Sequence, residues 1–195
     1  KGSLRFSIRI HGRAAHSGLD PEKGASAILE LSHVIQTLYA LADPARGITV
    51  NVGIVSGGQR VNVVAPEASA EVDVRVLAWD DAVRIEKTVL ALEAKTPGTK
   101  MEVEGGIDRP PLEATPGNRI LWEAACRGAA KLGIELQEGT SGGASDGSFT
   151  SRIVPTLDGL GSVGDGAHAL HEHVVLDRAP ERAALLALLL LEPLA

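Results

Sequence analysis

A single cysteine, Cys126, in 195 residues excludes an intramolecular disulfide and leaves no thiolate cluster for a structural zinc. Any metal must therefore be held by histidine and carboxylate. A chain without disulfides suits a reducing compartment, and the opening Lys1-Gly2-Ser3-Leu4-Arg5 carries no apolar leader, so the expected location is the cytoplasm. Aromatic residues are scarce, at two Trp, one Tyr and two Phe, and the net charge is −6. That combination lacks both the stacking platforms and the basic field on which nucleic-acid binding depends, so nucleic acid is not an expected partner. The longest purely apolar run, Ala183 to Leu191, is nine residues, against the roughly 20 needed to span a bilayer, so no membrane span is expected. What the chain does have is 44% hydrophobic residues, enough for one real core or two small ones, and 22 glycines, many of them between Gly139 and Gly166.

The apolar periodicity divides the chain. Leu4, Phe6, Ile8 and Ile10 alternate with polar residues, as in a strand with one buried face. Asp20-Pro21 then reads as an N-cap and first helical position, followed by Ile28, Leu31, Ile35, Leu38 and Ala42 at helical spacing. Ile48, Val50, Val52 and Ile54 alternate, as do Ala68 to Val76 beyond Gly57-Gly58. Asp80 is the expected cap of a second helix bearing Ala82, Ile85, Val89 and Leu92, and Met101 with Val103 makes a short strand before Gly105-Gly106. The order β-α-β-β-α-β predicts a ferredoxin-like domain over residues 1–106, with four antiparallel strands and both helices on one face. Asp108-Arg109-Pro110-Pro111 reads as a linker. Residues 107–195 read as α/β: a helix from about Asn118 to Leu132, a strand at Ile134–Leu136, another at Ile153–Leu157, and a helix starting at Asp177. Two short strands are too few for a stable sheet, so this part looks incomplete.

Three constellations carry candidate chemistry. Gly143-Ala144-Ser145-Asp146-Gly147 matches the nucleophile-elbow pattern, with Asp158 and His168 following in Ser…Asp…His order. No strand leads directly into Ser145, however, and no upstream glycine-rich loop completes an oxyanion hole, so the plain reading is a turn that caps the next helix. Gly166 to His173 offers three histidines and Glu172, but one extended segment does not supply three ligands to one ion. His16, in Gly12-Arg13-Ala14-Ala15-His16-Ser17-Gly18, lies in a loop after the first strand, where a neutral imidazole can polarise a carbonyl or simply face solvent. Asn62 is uncommitted, and Arg75 is either a solvated strand residue or a fork for a carboxylate.

Taken together, Gly12 to Gly18, Gly57-Gly-Gln-Arg-Val-Asn62 to Pro66, Asp73-Val-Arg75, Gly142-Gly-Ala-Ser-Asp-Gly147 and Gly166-Ala-His168 to Glu172 occur in the order of a known family. The sequence resembles the di-zinc metallopeptidases that include glutamate carboxypeptidase, succinyl-diaminopimelate desuccinylase, acetylornithine deacetylase and aminoacylase. The resemblance covers essentially the whole chain. It implies a ferredoxin-like lid, which is also the homodimerisation domain, over 1–106, and the second half of an α/β catalytic domain over 107–195. By position it implies that His168 is a zinc ligand and that His16 crosses the dimer to polarise the scissile carbonyl. It likewise implies that Asn62 and Arg75 hold the substrate carboxylate or nearby polar atoms, and that Gly142 and Gly143 line the substrate site. His171 and His173 gain no role, and Glu172 is expected to brace the loop.

In that family the other zinc ligands and the general base precede the lid, and this chain begins at the lid. The expectation is therefore a fragment of a zinc hydrolase of N-acyl or peptidyl amino acids. The whole enzyme would hold two zinc ions, whereas this chain alone would be inactive with an incomplete metal site or none. Ser148 stands where the desuccinylase and deacetylase branch is expected to carry arginine, which favours a carboxypeptidase acting on a C-terminal acidic residue. The competing expectations are a non-enzymatic ferredoxin-like dimerisation or binding module and a serine hydrolase using Ser145.

Overall fold

The computed structural model describes residues 1–191. They form two compact units, one of residues 1–112 with 142–144, the other of 113–141 and the residues from 145 onward.

The first unit contains β1 (Gly2–His11), α1 (Ala27–Tyr39), β2 (Thr49–Gly57), β3 (Glu67–Val76), α2 (Trp79–Leu90) and β4 (Lys100–Arg109). All strand pairs are antiparallel in the order β2-β3-β1-β4, which is the ferredoxin-like topology that the element order predicts. Leu4, Phe6, Ile8 and Ile10 of β1 and the apolar side chains from Ala68 to Val76 of β3 are buried on one face. There they pack with Leu31, Val34 and Leu38 of α1 and Ala82, Ile85 and Val89 of α2 in one core. The opposite face carries Arg5, Arg9, Glu71, Asp73 and Arg75, so the period of two is fulfilled along both central strands.

Several local expectations are corrected. Asp20-Pro21 does not open α1: Pro21–Lys23 is a single tight turn closed by Gly24 N–H donating to the Pro21 carbonyl (3.0 Å). Ser26 caps α1 instead, its Oγ accepting the Leu29 N–H at 3.2 Å. The buried stripe consequently runs Ala27, Leu31, Val34, Leu38, and Ile28 is half exposed. Nor does Asp80 cap α2, which begins at Trp79 behind Ala78; Asp80 and Asp81 lie in its first turn. Asp81 is buried and takes bonds from Arg46 and Arg84. In β2 the alternation fails after Val52, because a register shift between Val52 and Ile54 leaves Ile54 and Val55 both exposed. β4 runs on through Gly105-Gly106 to Arg109, so Asp108 and Arg109 are strand rather than linker. The two glycines have φ of +119° and +153°, and a Cβ on Gly105 would sit 2.1 Å from the Arg5 carbonyl oxygen.

The second unit contains α3 (Pro116–Lys131), α4 (Gly147–Thr150), β5 (Gly164–Asp165), β6 (His173–Val174) and α5 (Ala179–Leu191). α3 is capped by Thr115, whose Oγ1 accepts the Asn118 N–H, and is stopped at Gly133 with φ +70°. Ile134–Leu136 and Ile153–Leu157 are not strands, because neither pairs with another strand among the described residues. β5 and β6 instead form a two-residue hairpin ladder that apolar periodicity does not signal. The last helix starts at Ala179, after a turn over Leu176–Arg178, rather than at Asp177. No helix of the described residues is long and apolar enough to cross a membrane.

Candidate functional site

The loop after β1 and the loop before β3 are joined by backbone bonds, and that junction builds the His16 region. Gly12 N–H donates to the Pro66 carbonyl (2.7 Å), Val64 N–H to Ala15 (2.9 Å) and Ser17 N–H to Asn62 (3.0 Å). Gly12 has no room for a side chain, since a Cβ there would lie 2.1 Å from the Ala25 carbonyl oxygen. This close approach lets Arg13 and Ala25 exchange both backbone bonds, at 2.9 Å each. His16 and Asn62 are thus brought side by side at one end of the sheet, both exposed. The Nδ1 of His16 accepts the N–H groups of Gly18 (3.1 Å) and Leu19 (3.2 Å).

Arg75 lies at the other end. Glu67 pairs with His11, beside the His16 loop, whereas Arg75 pairs with Ser3, eight residues further along β3. At about 3.4 Å per residue the two ends are roughly 27 Å apart. Arg75 is also engaged: its Nε and Nη2 donate to the two carboxylate oxygens of Asp73 at 2.7 and 3.0 Å. Residues two apart on a strand share a face, so Asp73-Val-Arg75 contained this pair in plain view. Nη1 makes no bond to Asp73, so the guanidinium keeps an edge for a further acceptor. Gly142 and Gly143 belong to the same unit, and the Gly143 carbonyl accepts a hydrogen bond from the backbone nitrogen of Lys1 at 3.2 Å, adjacent to the Gly2–Val76 pair.

His168 sits in the second unit, in the turn between β5 and β6, with φ of +66°. Glu172 accepts its backbone N–H at 3.2 Å, and Gly166, at φ +76°, makes room for the His171 ring. Glu172 thereby braces the turn. Among the described residues no three His, Cys, Asp or Glu side chains group as a metal site. His168 alone does not fit a di-zinc centre, so no chemical step through a metal is assigned to this chain.

Ser145 has a different neighbourhood from a triad serine. Its Oγ donates directly to the Asp158 carboxylate and accepts the Gly147 N–H at 3.1 Å. In a triad the imidazole stands between serine and carboxylate, and a strand precedes the serine. Neither feature is present among the described residues.

Sequence reasoning missed one well-placed ionisable group, Glu30, buried on α1 because it sits at a helical position otherwise read as polar. Burial by itself raises the proton affinity of its carboxyl. Hydrogen bonds from Thr96 and from the Lys95 N–H (3.0 Å) outweigh burial and hold it below its ordinary value.

Comparison with known proteins gives a consistent result. Residues 1–99 match the peptidase dimerisation domain. The chain is 28% identical to carboxypeptidase G2 of a Pseudomonas species over 98% of its own length and 47% of that protein. Aminopeptidase PepT from Bacillus cereus shares its fold with a TM-score of 0.82 at 24% identity, over 96% of this chain and 51% of that one. The YXEP protein of Bacillus subtilis, a dinuclear metal-binding M20 peptidase, shares it with a TM-score of 0.68 at 18% identity, over 96% and 49%. The chain spans about half the length of these relatives.

Proposed function

The chain belongs to the M20 peptidase family, and on that premise we propose that its protein hydrolyses the amide or peptide bond of an N-acyl or peptidyl amino acid that carries a free carboxylate. The likeness to carboxypeptidase G2 through 98% of the chain carries this reading, and Ser148 favours a substrate with a C-terminal acidic residue. Residues 1–106 act as the lid and 107–195 as part of the catalytic domain, in the cytoplasm.

In this reading the whole enzyme would hold two zinc ions, for which His168 would be the one ligand from this chain, and the metal would supply an activated water. The chain alone is inactive. His16 hydrogen-bonds the scissile carbonyl oxygen and stabilises the charge that develops there. Arg75, aided by the Gly142-Gly143 backbone, holds the substrate carboxylate with the guanidinium edge that Asp73 leaves open. Asn62 offers an amide beside His16 to the same substrate. Because the His16 and Arg75 ends of the sheet are roughly 27 Å apart, one small substrate does not touch both from a single lid. A homodimer meets this requirement, His16 and Asn62 of one subunit serving the site that Arg75 of the other helps to form. β2, at the edge of the sheet with Ile54 and Val55 exposed, suits pairing with a second copy.

The test is to extend the chain to the length of its relatives and assay N-acyl and peptidyl glutamates before and after chelation. Hydrolysis lost with chelator and restored by zinc is expected. Full activity in the chelated protein would overturn the metal reading and return attention to Ser145. No hydrolysis at any metal loading, with a dimer in sedimentation, would leave the non-enzymatic dimerisation module.

A further inference from the structure

We propose that the turn 16–19 fixes His16 as a pure hydrogen-bond donor before any substrate or second subunit arrives, with the backbone of Gly18 and Leu19 as the positioning groups. Nδ1 receives two N–H bonds, at 3.1 and 3.2 Å, so its lone pair is occupied and a proton placed there in the neutral ring would forfeit both. The neutral imidazole therefore bears its proton on Nε2, for the tautomer follows from the bond that the other nitrogen makes. No described residue bonds to Nε2, and the side chain is exposed.

The backbone that holds the ring is itself pinned on both sides. Ala15 accepts from Val64, Ser17 donates to Asn62, and the Asp20 N–H closes on the His16 carbonyl at 3.2 Å. Asn62 thereby contributes through its backbone carbonyl oxygen. The chemical consequence is selective. An approaching molecule meets one N–H and no lone pair, so His16 neither ligates a metal through Nε2 nor removes a proton from water or a hydroxyl. Its counterpart is an acceptor, a carbonyl oxygen or the oxyanion that forms from it. The identity of that counterpart rests on the function proposed above; the tautomer does not.

The experiment uses the full 195-residue chain labelled with [15N]histidine, at a pH where imidazoles are neutral, with the His16 signals assigned by their loss in His16→Gln. The expected result is a pyrrole-type Nε2 and a pyridine-type Nδ1. Two neutral hydrogen bonds should raise the Nε2–H preference about tenfold over the same residue in urea. Gly18→Pro, which deletes one donor, should move the ratio toward the unfolded value. Gly18→Ala keeps the N–H and should not, since its Cβ would meet the ring only at ordinary contact, 3.7 Å. A pyrrole-type Nδ1, or a ratio equal to that in urea, overturns the proposal on the unaltered chain alone. If the tautomer is as expected but His16→Gln in the extended protein leaves kcat/KM unchanged, the catalytic reading fails and the donor clamp stands.

Discussion

The two units solve the problem of holding a fold in different ways. The first buries large apolar side chains from every layer, including Phe6, Leu31, Leu38, Ile48 and Ile85, between a four-stranded sheet and two helices. The second has small residues at its helix contact. Ala124, Ala125 and Ala129 of α3 are buried with Leu185 of α5, and a Cβ added at Gly128 would meet Leu185 Cδ1 at 3.5 Å. The rest of its order depends on a buried amide. Asn118 donates to the Glu113 carbonyl (2.7 Å) and to Ser151 Oγ (2.9 Å), and its Oδ1 accepts the Thr156 N–H (2.7 Å). Meanwhile Ile120, Phe149, Ile153, Val154 and Leu176 of this unit are exposed. Hydrophobic burial scales with area and is largely indifferent to direction, whereas a polar hub depends on every partner being in place. The first unit is therefore expected to fold by itself, whereas the second is expected to depend on more than its own apolar contacts.

Separating the units tests this contrast most severely. Residues 1–112 expressed alone should melt cooperatively by circular dichroism, and residues 113–195 alone should show no cooperative transition; the reverse outcome would invert the comparison. Within the first unit, Phe6→Ala should cost about 3–5 kcal/mol in urea denaturation, because a fully buried ring leaves a cavity in a layered core. A loss below about 1 kcal/mol would mean that the core relaxes far more than its packing implies.

Glu30→Gln sharpens the comparison by testing a buried carboxylate of the first unit that is held by backbone N–H donors. Gln keeps one acceptor where Lys95 and Thr96 present two N–H donors, so the expected loss is about 1.5–3 kcal/mol at neutral pH. The pH dependence has a definite sign. Because the folded carboxyl is held below its ordinary value of 4.5, it contributes full stability above that pH. The contribution disappears as pH falls from there through the folded value. Urea midpoints measured from pH 7 down to acid should therefore converge for the two proteins, and a constant gap would refute the assignment. In the second unit, Asn118→Ala strands the Thr156 N–H and should cost about 1–3 kcal/mol. Hydrogen exchange at Thr156 should quicken, and unchanged protection there would show that the amide is not the hub.

The first unit was legible because its pattern is redundant. Leu4 to Ile10 and Ala68 to Val76 each repeat the period of two often enough to fix which face is buried, and the order of elements then leaves few topologies. The cap positions were not legible at Asp20 and Asp80, because a good capping residue only acts where the chain turns, and neighbouring bonds moved the turn to Ser26 and Ala78. Ile134–Leu136 and Ile153–Leu157 show the same limit for strands: β-propensity describes a segment, and a strand also needs a partner.

For the candidate site the division is similar. The types and spacing of His16, Asn62, Arg75, Gly142, Gly143 and His168 are properties of the sequence, and they pointed to the family that residues 1–99 match. Tertiary structure alone decided which of them meet. The antiparallel register of β1 and β3 puts His16 beside Asn62 and carries Arg75 to the opposite end, because each pairing advances the two strands in opposite directions. It likewise shows the Gly18 and Leu19 N–H groups turned onto His16 Nδ1 in a loop that the Ser17–Asn62 bond ties to the segment before β3, a contact that residue types alone do not announce.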